Sequence, residues 1–419
     1  MHVAVFTDFH ESSMGGVQAS VRAQRRGLED FGYRVTIFSP PPAGAAPADP
    51  ATVCVPAVPF FRPNGFPMVA PSGRNRRLIE DQLDRRAPVD VIHAQTNLGI
   101  GILAVQIARG RSLPLVQTMH GRDDVFAQLT YPVPYLTTTI LRLLHRRYVP
   151  HRSRVLRLDD NGCAHNAWRV MVNHANAADR IVIPSHHFAA RFRNRGVSTP
   201  IEVISNGLVG SPALAGPPAH GRKPSDPLRV MWCGRLSPEK RPIEAILAAG
   251  GVDGCRLDIY GEGPWAGRLK KFISAQGLSD RVRLKGRVSQ DGVLAAMREH
   301  DVLLYSSHGF DNQPMVLLEA VAAGLPVVYC DPDLAECVPP DGALRADGPS
   351  AGELTGALRR LRDDPSLCRR MSDALRAAGD DVQQTRHSRR MARLYEELVA
   401  GRTTHQAQRD PAEDDGKSA

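Results

Sequence analysis

Cysteine is scarce in this chain: seven in 419 residues, at 54, 163, 233, 255, 330, 337 and 368, with no C-x-x-C pair among them. That excludes a zinc ribbon or a disulfide scaffold and points to a reducing compartment, the cytoplasm. No apolar run approaches the roughly 18 residues that a membrane helix needs. The N-terminus opens straight into Val3-Ala4-Val5-Phe6, without the basic and apolar regions of a secretory leader. Lysine is rarer still, at positions 223, 240, 270, 271, 285 and 417, and aromatic residues make up only 5%. With 8 Tyr and 3 Trp there is little material for stacking nucleic-acid bases. What remains, 42% hydrophobic and 23% charged, is the composition of a soluble globular protein, long enough for two domains with cores of their own.

Charge is unevenly spread. The formal net charge is +9, and residues 1–210 hold all of it, with 24 Lys+Arg against 15 Asp+Glu. Arg142, Arg146, Arg147, Arg152, Arg154 and Arg157 crowd a stretch that has no acid. Such a half calls for an anionic partner: nucleic acid, a membrane surface or a phosphorylated substrate.

Hydrophobic periodicity divides the chain into two α/β halves. In the first, apolar strands at 3–7, 34–38, 90–93, 113–119, 181–184 and 201–204 alternate with helical spacing, and the Pro/Ala-rich stretch 39–71 is expected to carry no regular element. Residues 210–227 are rich in Pro, Gly and Ala and read as a linker. Strands at 228–233, 255–260, 282–284, 302–305 and 326–329 follow, with helices at 241–250, 264–276, 290–299 and 315–323. The expected domains are 1–210 and 211–385, then a helix at 386–402 and a frayed tail at 403–419. Each half should be a doubly wound parallel sheet that binds ligands beyond its strand ends.

The candidates for chemistry lie on those loops. Gly15-Gly16 precedes the first helix, where bare backbone and a helix N-terminus favour an anion. His120 follows a strand. Arg235 and Lys240 sit on the loop after the first strand of the second half, a fork and a point charge able to clamp a diphosphate. Gly261-Glu262-Gly263-Pro264 follows the next strand and frees backbone for close approach. Each of these alone also fits an ordinary turn or a solvated surface loop. The segment Asp311-Asn312-Gln313-Pro314-Met315-Val316-Leu317-Leu318-Glu319 says more. Pro314 suits the first position of a helix, so the amides of Met315 and Val316 are donors without an intrahelical acceptor. Asp311 before the helix and Glu319 within it supply carboxylates for sugar hydroxyls. Asp331-Pro332-Asp333 imitates a metal-binding D-x-D but reads as a turn. His145 and His151 have no cysteine or carboxylate neighbours to complete a metal site.

In this order and spacing the motifs resemble the retaining glycosyltransferases of family 4, which have the GT-B fold of two Rossmann-like domains facing a cleft. The resemblance also takes in Ala322-Ala323-Gly324-Leu325-Pro326 and covers nearly the whole chain. It implies a nucleoside-diphosphate sugar donor (UDP or GDP), a hydroxyl acceptor and no metal or further cofactor. Gly15 and Gly16 would pack against the diphosphate or the acceptor, Arg235 and Lys240 would neutralise the diphosphate, His120 would line the transferred sugar, and Glu319 would bond the ribose. The terminal helix would cross back onto the first domain. Two positions depart from the family pattern: Asp311 stands for the first glutamate and Pro314 for a glycine. Sugar-nucleotide epimerases and phosphorylases of the same architecture, and a basic nucleic-acid binder, are the competing classes. In this architecture the acceptor belongs to the first, basic domain. There Leu136, Ile140, Leu141, Leu143 and Leu144 beside Arg142, Arg146 and Arg147 suit an anionic lipid surface on the inner membrane face, or a solvated helix packed on the sheet.

Overall fold

The computed structural model describes residues 1–13, 15–42, 44, 47, 49–60, 66–149, 153–158, 160–210 and 226–409, with side chains as far as 402. Most of the linker at 210–227, the tail beyond 409, and His151 and Arg152 therefore lie outside the described residues.

The first half runs β1 (His2–Phe6), α1 (Gly16–Asp30), β2 (Arg34–Ser39), β3 (Thr52–Cys54), α2 (Gly73–Asp84), β4 (Val91–Ala94), α3 (Gly99–Gly110) and β5 (Leu115–Thr118). It continues with α4 (Asp123–Thr130), α5 (Pro134–Tyr148), α6 (Gly162–Ala175), β6 (Arg180–Ile183), α7 (His186–Arg193) and β7 (Ile201–Val203). The second half holds β8 (Leu228–Cys233), α8 (Pro242–Gly250), β9 (Cys255–Tyr260), α9 (Ala266–Ala275), β10 (Val282–Gly286), α10 (Gln290–Glu299), β11 (Val302–Tyr305), α11 (Met315–Ala323), β12 (Val327–Tyr329) and β13 (Ala343–Arg345). Helices α12 (Ala351–Asp363), α13 (Pro365–Ala377) and α14 (Gln384–Arg409) complete the described chain.

The strands form two parallel sheets, in the orders β3-β2-β1-β4-β5-β6-β7 and β10-β9-β8-β11-β12-β13. Alternating side chains fill opposite faces, as a strand's period of two requires. Ala4 and Phe6 enter one core cluster while Val3 and Val5 enter another. In the second sheet Val230 and Trp232 fall on one side and Met231 on the other. Both faces are covered by helices, which explains why the strands read as continuous apolar runs.

Two details correct the sequence reading. The Pro/Ala-rich stretch does carry an element: Thr52–Cys54 pairs with Ile37–Ser39 at the sheet edge. So short and weakly apolar a run, set among turn residues, leaves no signal that sequence can reveal. The edge strand β13 was likewise missed, for the same reason.

Each sheet reverses its strand order beside its first strand, between β1 and β4 and between β8 and β11. The loops diverge at those points and leave a crevice. Helix α14 returns to the first sheet, where Met391, Leu394 and Tyr395 are buried with Val3, Val5, Val21 and Leu28.

Candidate active site

At the first switch point the loop after β1 ends in Gly15, whose φ of 155° and ψ of 163° suit glycine alone. A Cβ there would lie 2.3 Å from Gln18 Oε1. Gly16 opens α1 and faces the other half: a Cβ built on it would stand 4.0 Å from Met315 Cγ. The N-termini of α1 and α11 thus confront each other across the crevice.

At the second switch point the loops after β8 and β11 are tied together. Lys240 Nζ pairs with Asp311 Oδ1 at 2.5 Å and lies 5.0 Å from the centre of the Phe310 ring. The other Asp311 oxygen accepts from Ser307 Oγ at 2.6 Å and from the Tyr305 hydroxyl. Two residues expected to meet the donor separately are therefore partners. Asp311 fixes the ammonium, which has three donors and keeps capacity for a phosphate oxygen. Among the described residues the half-buried Arg235 guanidinium makes no hydrogen bond or ion pair and is free for an anion.

Helix α11 spans the expected 315–323, but Pro314 stands before its first residue. Pro314 is its N-cap, extended at φ −69° and ψ 128°, and its carbonyl accepts from Leu317 N at 3.0 Å. The fixed proline φ fits a cap as well as a first turn, so sequence does not distinguish them. Met315 and Val316 are then the first two helical residues, and their amides have no intrahelical acceptor. One turn on, Glu319 is only 8% exposed, and Gln290 Nε2 donates to its Oε1 at 3.2 Å. Burial pushes its carboxyl up to about 7.

Gly261 and Gly263 allow a close approach of backbone to backbone. A Cβ on Gly261 would lie 1.9 Å from Gly234 O, and one on Gly263 2.5 Å from Leu236 O. The close approach is to the neighbouring loop, sealed by Leu236 N donating to Glu262 O at 3.0 Å. Glu262 itself is exposed, with Arg287 at 3.5 Å.

His120, at the end of β5, holds the third side of the crevice. Its carbonyl accepts from Asn312 Nδ2 at 2.7 Å, and its Nε2 meets Gln95 Oε1 at 2.7 Å. The donor order behind Gln95 assigns the tautomer. Gln95 Nε2 donates to Gln24 Oε1 at 2.6 Å, and Gln24 Nε2 donates to the Tyr395 hydroxyl at 2.8 Å. That hydroxyl stands 2.6 Å from His93 Nδ1, and His93 Nε2 is 2.7 Å from Thr118 Oγ1. Gln95 therefore presents its oxygen to an Nε2–H on His120, which leaves Nδ1 as an acceptor. Burial holds both rings neutral, lowering His120 to about 4 and His93 to about 3. Gln95 is a residue that sequence reading overlooked. The signal was there, a glutamine directly after an apolar strand, but its partners lie on three other elements.

Further polar contacts join the halves. Gln313 Nε2 donates to Ser205 Oγ at 2.7 Å, and Gln313 Oε1 accepts from Asn206 N at 2.7 Å. Arg122, paired with Asp124 at 2.8 Å, also reaches the Gly309 carbonyl. The D-x-D imitation is used up locally: Asp331 accepts from Gly309 N and Asp333 N, and Asp333 pairs with Arg191. His145 pairs with His174 at 3.1 Å.

Arg142, Arg146 and Arg147 are on α5, away from these loops. Leu136, Ile140, Leu143 and Leu144 of that helix are 48–55% exposed, while Leu141 is half-buried. Among the described residues no helix is long and apolar enough to cross a membrane.

Comparison with known proteins agrees with this geometry. The Glycosyltransferase Family 4 model matches residues 14–209 and the Glycosyl transferases group 1 model residues 218–378. An alpha-monoglucosyldiacylglycerol synthase of Streptococcus pneumoniae is 23% identical over 337 residues, 78% of this chain and 70% of that one. Among solved structures, a sucrose-phosphate synthase from Thermosynechococcus elongatus superposes with a TM-score of 0.73 at 17% identity, covering 96% of this chain and 99% of that one. Anabaena Alr3699/HepE in complex with UDP and glucose gives 0.65 at 17% identity, over 94% and 99%. Two family models in tandem, over two Rossmann-like halves whose switch points face one crevice, make this chain a GT-B glycosyltransferase of the group 1 family.

Proposed function

We propose that the chain moves a hexosyl group of glucose or mannose type from a nucleoside diphosphate, UDP or GDP, to an acceptor hydroxyl, with retention at the anomeric carbon. The observation that carries this reading is the meeting, at the second switch point, of Lys240 held by Asp311 with the open N-terminus of α11 and the buried Glu319. Glu319 suits the ribose diol, the amides of Met315 and Val316 a phosphate, and Arg235 with Lys240 the charge that grows on the leaving diphosphate. Preorganised charge of this kind is usually the largest catalytic contribution. Gly15 and Gly16 close the opposite wall, Glu262 stands at the donor-side rim, and His120 offers its Nδ1 to a sugar hydroxyl.

In the step proposed, the bond from the anomeric carbon to the diphosphate oxygen breaks. The acceptor oxygen bonds to the same face of that carbon, and its proton passes to the departing phosphate oxygen. No metal or further cofactor takes part. The acceptor proposed is a lipid or glycan precursor met at the cytoplasmic face of a membrane. Support comes from the exposed apolar and basic face of α5 and from the glycolipid in the pneumococcal relative's name.

Calorimetry with UDP, GDP and their glucose and mannose conjugates tests the donor. Binding of one nucleoside diphosphate, weakened by Lys240→Ala, is expected; no binding of any would overturn the reading. NMR of the transferred sugar tests retention, and an inverted anomer would refute it.

A further inference from the structure

The chain crosses between its halves twice, and the crossings are hydrogen-bonded to each other. Leu208 N donates to Val382 O at 2.8 Å, and Gln384 N donates to Leu208 O at 2.9 Å. Two crossings tied at one place form a hinge about which the halves can part. Beyond the hinge, side chains bridge the crevice. One bridge joins the start of α7, after β6, to the turn after β12, and each of those strands adjoins one that carries site residues.

At that bridge the second half supplies a helix cap to the first. Glu336, in the 3-10 helix Pro332–Cys337, accepts from His186 N at 2.8 Å with one oxygen and from His187 N at 2.9 Å with the other. Those are the first two amides of α7, which have no acceptor inside the helix. The His187 ring adds its Nδ1 at 2.7 Å, and Arg191, one turn on, pairs with Asp333 at 2.5 Å. Burial raises the Glu336 carboxyl, but the two amides and His187 outweigh it and hold the group below its ordinary range. Arg191 and Asp333 are each 34% exposed, so their pair is worth little. Glu336 therefore carries the contact.

Helix α7 has a cap residue of its own that goes unused. Ser185 holds the N-cap position, extended at φ −144° and ψ 151°, and its carbonyl accepts from Ala189 N at 3.1 Å. Its hydroxyl caps nothing: the residue is 1% exposed, and among the described residues Oγ has no hydrogen-bond partner. A serine so placed ordinarily accepts from the second or third helical amide, here His187 or Phe188. Glu336 already holds the first of these. A buried hydroxyl without a partner is costly, and this one gains a partner when Glu336 withdraws.

We propose that Glu336 and Ser185 exchange as the cap of α7: Glu336 holds the crevice closed, and Ser185 takes the freed amides when the halves part. Opening then costs less, because the helix is never left without a cap. The exchange depends on the proposed transfer only for what the opening admits, since its test uses neither donor nor acceptor.

A double-mutant cycle on the full chain tests this, read by hydrogen exchange at the α7 amides and by small-angle X-ray scattering. Glu336→Ala is expected to enlarge the radius of gyration and to speed exchange of the His186 amide about tenfold or more, the worth of a hydrogen bond to a charged group. Ser185→Ala alone is expected to change neither. In the Glu336→Ala background, Ser185→Ala should speed exchange of the His187 and Phe188 amides about fivefold further, the worth of an N-cap. Glu336→Gln, of the same shape, repeats the comparison should the alanine variant melt below the working temperature. An equal effect of Ser185→Ala in both backgrounds overturns the exchange of caps. A radius of gyration unaltered by loss of the Glu336 carboxylate overturns its hold on the crevice.

Discussion

Lys240 and Asp311 show how one residue's role depends on another's. The half-buried ion pair is held by two hydroxyls, so removing either member leaves the other's charge in a site built for a pair. Lys240→Ala should lower kcat by about 100- to 1000-fold, the scale of losing one preorganised donor to a developing oxyanion. It should also cost about 1–3 kcal/mol of stability by leaving a buried acceptor short of its donor. Lys240→Ala with Asp311→Asn should recover most of the stability and none of the rate; denaturant melts and steady-state kinetics on the three variants check this. Glu319 gives a pH signature. Its folded carboxyl, near 7, lies above an ordinary 4.5, so between these values the folded chain holds a proton the unfolded chain has released. Stability from this group therefore falls as pH rises from 4.5 to 7, by about 3 kcal/mol. Glu319→Gln should abolish that component, and because the buried histidines favour pH 8 over pH 5, melting curves at the two pH values would reveal it as a larger difference between them.

Elements show where local sequence suffices and where it does not. Strands β8, β9 and β11 have the bounds the sequence predicts: the central β8 and β11 are apolar runs buried on both faces, while β9 alternates, with Arg256 exposed. Edge strands β3 and β13 escape notice because three weakly apolar residues between turn signals owe their conformation to a neighbour's ladder. The same dependence governs α14. Its outline is periodic, but its seat is set by Gly27 of α1, where a Cβ would lie 2.0 Å from Ser388 Oγ. Gly27→Ala should force the two helices apart and cost about 1–3 kcal/mol as overpacking does, despite alanine's better helix propensity. Because Tyr395 of α14 is a link in the hydrogen-bond chain that begins at His120, kcat should fall with it. Differential scanning calorimetry alongside kinetics tests both, and a more stable variant would contradict the packing argument.

Across the whole molecule, buried histidines dominate the response to acid. Burial lowers His2, His93, His120, His174 and His387 below the ordinary 6.5. Below that pH the unfolded chain binds protons that the folded chain refuses, so stability falls with pH. His93 and His120 alone should each remove about 2 kcal/mol at pH 5, which together exceeds the gain from Glu319. Cooperative acid unfolding between pH 6 and 4 is expected in circular dichroism, and a melting temperature unchanged across that range would contradict it. At this scale the division between sequence and structure is clear. The sequence by itself determined the two doubly wound halves, the loops that carry Arg235, Lys240 and Asp311, and the placement of the whole excess charge in the first half. Each of these follows from periodicity, turn chemistry or composition, which are properties of neighbours along the chain. Only the tertiary structure decided that Lys240 and Asp311 are partners and that Gln95 sets the His120 tautomer. It likewise decided that Gly261 meets a neighbouring loop's backbone and that Gln313 reaches Ser205 in the other half. Those are contacts between residues far apart in sequence, and their free energy depends on distances that the packing of whole elements fixes.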